Sequence, residues 1–214
     1  TYERLFKGNW DYEDNPYQLA QQEMIEAIYS NDHVAQGSKI GYITADIAGQ
    51  GNDKAVIGYW EGWDLVVIIE FKKSDPQDLI IAVRMLRFKY RVPKHRVVYD
   101  ADGLGWGVSS IGGTQFRNNA NPIRTGREIP NHKNLQTQCL YLLADKINQG
   151  ELYISADLST DQMTHINQEL AQIQSKGEHE SENKLQCKGK AQIKQDIGRS
   201  PDYRDMIFMR IFFD

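Results

Sequence analysis

The 214 residues include 25 basic and 29 acidic side chains and carry a formal net charge of -4. A chain of this length buries roughly 70% of its unfolded surface, enough for one sizeable enzyme core or two small domains. The longest apolar run, LVVIIEF (65–71), is broken by Glu70 and falls far short of the roughly 18 residues of a membrane span, so the sequence predicts a soluble protein.

Residues 1–20 are polar, aromatic and acidic and read as an arm or linker. They carry neither a basic segment nor an apolar one of signal-peptide type, which suggests a piece of a longer protein. LAQQEMIEAIYS (19–30) reads as a short amphipathic helix, so residues 1–36 are expected to form an N-terminal arm with one helix and 37–214 the main domain. Next, SKIGYITADIA, DKAVIGYWEG and WDLVVIIEFKK are apolar runs separated by turn-like AGQGN and EGWD, which predicts a three-strand antiparallel meander.

SDPQDLIIAVRMLRFKYRV (74–92) predicts a helix capped by Ser74 or Asp75, with Pro76 in its first turn and Leu79, Ile80, Val83 and Leu86 facing the sheet. HRVVYDADGLG then reads as a strand ending at Asp100. The crossover helix before it favours parallel pairing with the meander. Residues 112–131 read as loop. NLQTQCLYLLADKINQG predicts a helix stopped by Gly150, ELYISADL a strand and DQMTHINQELAQIQSK another helix. GEHESENKLQCKGK (177–190) suggests a hairpin. GRSPDYRDMIFMRIFFD predicts a closing helix with Ser200 as N-cap and Pro201 at the first helical position.

Two strands therefore end on carboxylates, Asp46 and Asp100, although Asp is depleted in strands. An uncompensated buried carboxylate costs several kcal/mol, so a cation or hydrogen-bond donors must meet each one. Alternation puts Tyr42, Thr44 and Asp46 on one face of the first strand and Ile43, Ala45 and Ile47 on the other. Asp202 and Asp205, three apart, share a face of the closing helix. Asp202 also suits a helix first turn on macrodipole grounds, and Asp53 and Asp102 suit turns for local backbone bonding. The Gly49-Gln50-Gly51 turn is better explained by tight turning than by phosphate binding.

If the strand-end and closing-helix acids converge, their mutual repulsion calls for divalent cations. Hard oxygen ligands suit Mg2+ or Mn2+, and two such ions support phosphodiester hydrolysis. The overall charge is no obstacle to a nucleic-acid substrate. Seven acids against two bases give residues 1–32 a charge of -5, which leaves +1 for the rest. RMLRFKYRVPKHR (84–96) and KLQCKGKAQIK (184–194) are locally basic, which fits a nucleic-acid footprint or a solvated helix face. Cys139 and Cys187 stand without a CxxC or a His at metal spacing. They read as free thiols of a reducing cytoplasm and argue against a zinc site or disulfides.

The ordered set GNWDYEDNP (8–16), ADIAGQGNDKAVI (45–57), VVYDADGLGWGV (97–108), NLQTQCLYLLADKINQG (134–150) and KAQIKQDIGRSPDYRDMIFMR (190–210) resembles the C-terminal nuclease domain of phage terminase large subunits. The resemblance implies an α/β, RNase H-like mixed sheet flanked by helices, and cleavage of double-stranded DNA by two Mg2+ or Mn2+ ions during genome packaging. It matches Asp46, Asp100 and Asp205 to the catalytic acids and Asp202 to an auxiliary metal ligand, with Asp102 a rival for the second acid and Asp53 behind the ligands. Lys188, Lys190, Lys194 and Arg199 stand where they would hold DNA phosphates, or are ordinary surface lysines and arginine. In such full-length proteins an N-terminal packaging ATPase precedes the nuclease, with a small terminase subunit and a portal as partners in the host cytoplasm. This chain has no GxxxxGK[ST]. The alternatives are a resolvase- or transposase-like enzyme of the same fold, or a non-catalytic DNA or portal docking module.

Overall fold

The computed structural model describes residues 15–47, 54–72, 75–100, 111–124, 130–176 and 184–214. The expected short helix is α1 (Gln22–Ala27), and Ile25 together with the following Ile28 is fully buried. The three apolar runs form the expected meander of β1 (Gly41–Asp46), β2 (Ala55–Glu61) and β3 (Asp64–Phe71). Gly41 faces Glu61 and Asp46 faces Val56, while β2 and β3 pair from Ala55–Phe71 to Glu61–Asp64. The β2–β3 turn needs glycine: Gly62 has φ +61, and a Cβ there would stand 2.5 Å from the Ser38 carbonyl oxygen.

Helix α2 (Pro76–Lys89) starts where expected, with Asp75 accepting from the Gln77 amide at 2.9 Å. Its Leu79, Ile80, Val83 and Leu86 pack on Ile43, Ala45 and Ile57. Crossing the sheet in this way, it delivers β4 (Val97–Asp100) parallel to β1, with Ile43 beside Val97 and Asp46 beside Asp100. Two strands complete the order β5-β4-β1-β2-β3-β6. β5 (Thr114–Phe116) arises inside the stretch read as loop, and β6 (Tyr153–Ile154) is only two residues of the strand expected at 151–158. Both pair parallel to a neighbouring strand and are too short for alternation to register.

The second sheet face is covered by α3 (Leu135–Asn148), α4 (Thr160–Leu170) and α6 (Asp202–Phe208), with a 3-10 turn over Met209–Phe213, and α5 (Lys190–Ile197) precedes α6 in the chain. Here Val56, Trp60, Val98 and Phe116 of the sheet meet Leu140, Leu143, Ile166, Met206 and Phe208. The expected closing helix is thus α6 plus that turn. α5 was not expected, since its only buried apolar residue is Ile193. Ser175 bridges Cys187 antiparallel, and residues 177–183 of the expected hairpin lie outside the described residues. Cys139 and Cys187 are both free thiols. Among the described residues, no helix is long and apolar enough to cross a membrane.

Candidate functional site

Asp46 and Asp100 are register partners at the C-terminal ends of adjacent parallel strands, so their side chains share one face. The row continues through Val56 and Glu70 on β2 and β3. Helix α6 packs on that face of β1 and β2, and Met206 fills the space that Gly58 leaves open. Asp202 and Asp205 are thereby brought toward the strand-end acids. All four carboxylates are buried, between 2% and 7% exposed.

The shared cation is Lys190, at the start of α5. Its Nζ stands 2.9 Å from Asp205 Oδ2, 3.8 Å from Asp46 Oδ2 and 3.9 Å from Asp202 Oδ1. Arg204, itself buried, donates Nε and Nη2 to Asp205 Oδ1 at 3.0 and 2.6 Å. Asn118 Nδ2 donates to Asp100 Oδ2 at 2.5 Å, and the Lys54 amide donates to Asp202 Oδ2 at 3.2 Å. Asp202 Oδ1 has no hydrogen-bond partner among the described residues.

Burial pushes the Asp46 carboxyl well above its ordinary range; Lys190 opposes this, while Asp205, Asp202 and Asp100 reinforce it. Burial likewise raises Asp202. Asp205 goes the other way: against the burial penalty, Arg204 and Lys190 hold it below its ordinary value. Burial works against the Lys190 charge too, but Asp205 and Asp46 keep the ammonium protonated. Among the described residues no three side chains form a finished ion-binding group, and Lys190 stands among three of the acids. Their hard oxygens and the orphaned Asp202 Oδ1 nevertheless fit a Mg2+ or Mn2+ donor set.

Helix α6 is held in place from a distance. It begins at Asp202, after Pro201, with no side-chain cap of its own. The expected Ser200 cap is not formed: Ser200 Oγ lacks a partner among the described residues. Glu169 of α4 does the work instead, its Oε2 accepting from the Tyr203 and Arg204 amides at 2.9 and 3.1 Å. Arg199 Nε reaches the other oxygen of Glu169 at 3.3 Å. The Tyr203 hydroxyl donates to Glu70, which also pairs with Lys54 Nζ at 2.8 Å.

Sequence reasoning missed Arg204 and Asn118 as partners of the acids and Glu169 as the cap of α6. Only Arg204 carried a signal, a base set between two acids in PDYRD. Asp53 and Asp102 lie outside the described residues. Of the four basic residues expected to meet phosphate, Lys188 Nζ bonds Gln172 Oε1 at 2.6 Å and pairs with Asp196. Arg199 is committed to Glu169, and Lys194 borders a cavity beside Asp202.

Lys190→Ala removes the charge shared by three acids. Because its side chain is 38% exposed, the expected loss without metal is about 1–2 kcal/mol, a drop of roughly 2–8 °C in Tm. Added Mn2+ should then raise Tm more in the variant than in the wild type. Thermal melts with and without MnCl2 measure this, and equal metal shifts in both proteins would show that Lys190 does not compete for the acids.

The nuclease domain of the large terminase subunit gp2 of bacterial virus Sf6 superposes on this chain with a TM-score of 0.73. The identity is 21%, over 91% of this chain and 98% of that one. The fold is that of the RNase H-like terminase nucleases. The large terminase nuclease of thermophilic phage G20c gives a TM-score of 0.53 at 16% identity, covering 81% of each chain. The nuclease domain of the Thermus phage P74-26 large terminase gives 0.51 at 16% identity, over 80% of this chain and 77% of that one. Point mutants of the Sf6 domain have been solved with manganese and with calcium, and the G20c nuclease with bound magnesium and with bound cobalt. No family model and no curated protein matches this sequence.

Proposed function

We propose that this chain is the nuclease domain of a phage or prophage large terminase subunit, an endonuclease that cuts double-stranded DNA during genome packaging in the host cytoplasm. The observation that carries this reading is the convergence of Asp46, Asp100, Asp202 and Asp205 on one buried face at the ends of two parallel strands. The likeness to terminase nucleases supports it. Asp46, Asp100 and Asp205, with Asp202 beside them, would hold two Mg2+ or Mn2+ ions, which when bound supply an activated water and stabilise the leaving oxygen. Arg204 aims Asp205, Asn118 aims Asp100 and the Lys54 amide aims Asp202. Lys190 keeps the acids together when no ion does.

On this reading DNA is gripped through its backbone, giving salt-dependent binding without base readout. Residues 1–36 would be the approach to the domain and 37–214 the domain proper, with α1 docked into its core through Ile25 and Ile28. An N-terminal packaging ATPase, a small terminase subunit and a portal would be its partners in the full-length protein.

Supercoiled plasmid incubated with Mn2+ or Mg2+ should be nicked and then linearised, and EDTA should stop the reaction. Because the Asp46 pKa is raised, protons compete with metal in mildly acidic solution. Cleavage should therefore rise with pH beyond the ordinary carboxylate range as that proton leaves. Cleavage that survives EDTA, or a wild-type protein that cuts with neither ion, would overturn the assignment. The second result would favour a docking module.

A further inference from the structure

A cavity of about 240 Å3 opens beside Asp202, several times the roughly 30 Å3 share of a single water. Lys54, Lys194 and Arg199 line it, together with Ser200. Two carboxylates, Asp202 and Glu169, also border it. Glu169 is already met by the amides of Tyr203 and Arg204 and by Arg199, so its charge is answered from behind. Ser200 is only 5% exposed, yet its hydroxyl finds no partner among the described residues. A buried hydroxyl left unmade costs free energy that an acceptor entering the cavity would recover. The backbone is shaped for this wall: α5 ends at Gly198 with φ +73, the left-handed turn that leads into Arg199 and Ser200. The Lys54 amide bonds Asp202 while its ammonium pairs with Glu70, so the cavity wall and the metal-binding acids form one connected structure.

We propose that this cavity is a subsite for a backbone phosphate of the bound DNA, held by Lys194 and the Ser200 hydroxyl, with Lys54, paired with Glu70, adding positive charge to the wall. The inference rests on the nuclease reading and adds to it a defined anchoring point. Lys188, bonded to Gln172, Gln174 and Asp196, takes no part.

The test is equilibrium binding of a short DNA duplex without metal over a range of NaCl concentrations, together with plasmid cleavage in Mn2+. Lys194→Met should flatten the slope of log K against log salt by about 0.9, the loss of one phosphate contact. Ser200→Ala should weaken binding severalfold with at most a small change in Tm. A single methylphosphonate linkage, moved along the strand, should weaken wild-type binding at one position and have no effect there on Lys194→Met. If the wild type cuts DNA but both variants keep its slope and its response at every linkage, the subsite is overturned and the nuclease reading stands. If the wild type neither binds nor cuts DNA, both fall together.

Discussion

Asp46→Asn is expected to lower divalent-dependent DNA cleavage by at least about a thousandfold, equivalent to about 4 kcal/mol of lost transition-state stabilisation. Asp46 ends β1 in register with Asp100, and its Oδ2 lies 3.8 Å from the ammonium that also reaches Asp202 and Asp205. It is therefore the carboxylate through which the strand-end pair and the helix pair are joined. An amide of the same shape keeps the packing but removes the negative charge and one hard oxygen donor, and a divalent ion retains little affinity for such a set. The fold should survive. Burial holds the Asp46 carboxyl well above its ordinary value, so at neutral pH its ionised form weighs on stability and Asn relieves that weight. Metal-free Tm should thus match or exceed the wild type, while the Mn2+-induced rise in Tm disappears. Single-turnover plasmid cleavage and paired melts measure both, and a variant within tenfold of wild-type activity would remove Asp46 from the chemistry.

Glu169→Ala should cost about 3–5 kcal/mol, lowering Tm by roughly 6–20 °C, and should abolish cleavage although Glu169 touches none of the four acids. The substitution leaves the buried Tyr203 and Arg204 amides without their acceptor and takes from Arg199 its carboxylate partner. Helix α6 then loses the contact that fixes its first turn, and with it the positions of Asp202 and Asp205. Glu169→Gln separates position from charge. Burial pushes the Glu169 carboxyl up from 4.5 to about 7, opposed by its bond from Arg204 and by the charge of Arg199. For an acid raised on folding, the native state holds the extra proton. Its contribution is complete below about 4.5 and fades as pH rises through about 7. Wild-type Tm should therefore carry a downward component over that window that is absent from Glu169→Gln. Identical Tm-against-pH slopes for the two proteins would show that Glu169 titrates at its ordinary value.

Much of the architecture was legible because local rules are simple where elements are long. Apolar alternation marked β1, β2 and β3, and the Asp75–Pro76 start marked α2. A charge at the end of a buried strand breaks such a rule, so Asp46 and Asp100 stood out from their surroundings. β5 and β6, at three and two residues, carry no period of their own and exist only through pairing with β4 and β3. For α5, one buried isoleucine is too little amphipathic signal, and the turns at either side decide the helix. The 3.6-residue spacing also put Asp202 and Asp205 on one face without knowing what that face would meet.

By itself the sequence marked Asp46 and Asp100 as charged against their strand setting and put Asp202 and Asp205 on one helix face. Tertiary structure alone decided what answers each of them. Lys190 gathers three acids that span 160 positions of chain, Glu169 caps a helix 34 residues away, and Ser200 turns into a cavity instead of capping α6. The reason is physical: propensity and periodicity act over a turn of helix or a few strand residues. Coulombic pairing and hydrogen bonding in a buried site act between whatever side chains the packed layers bring within about 4 Å.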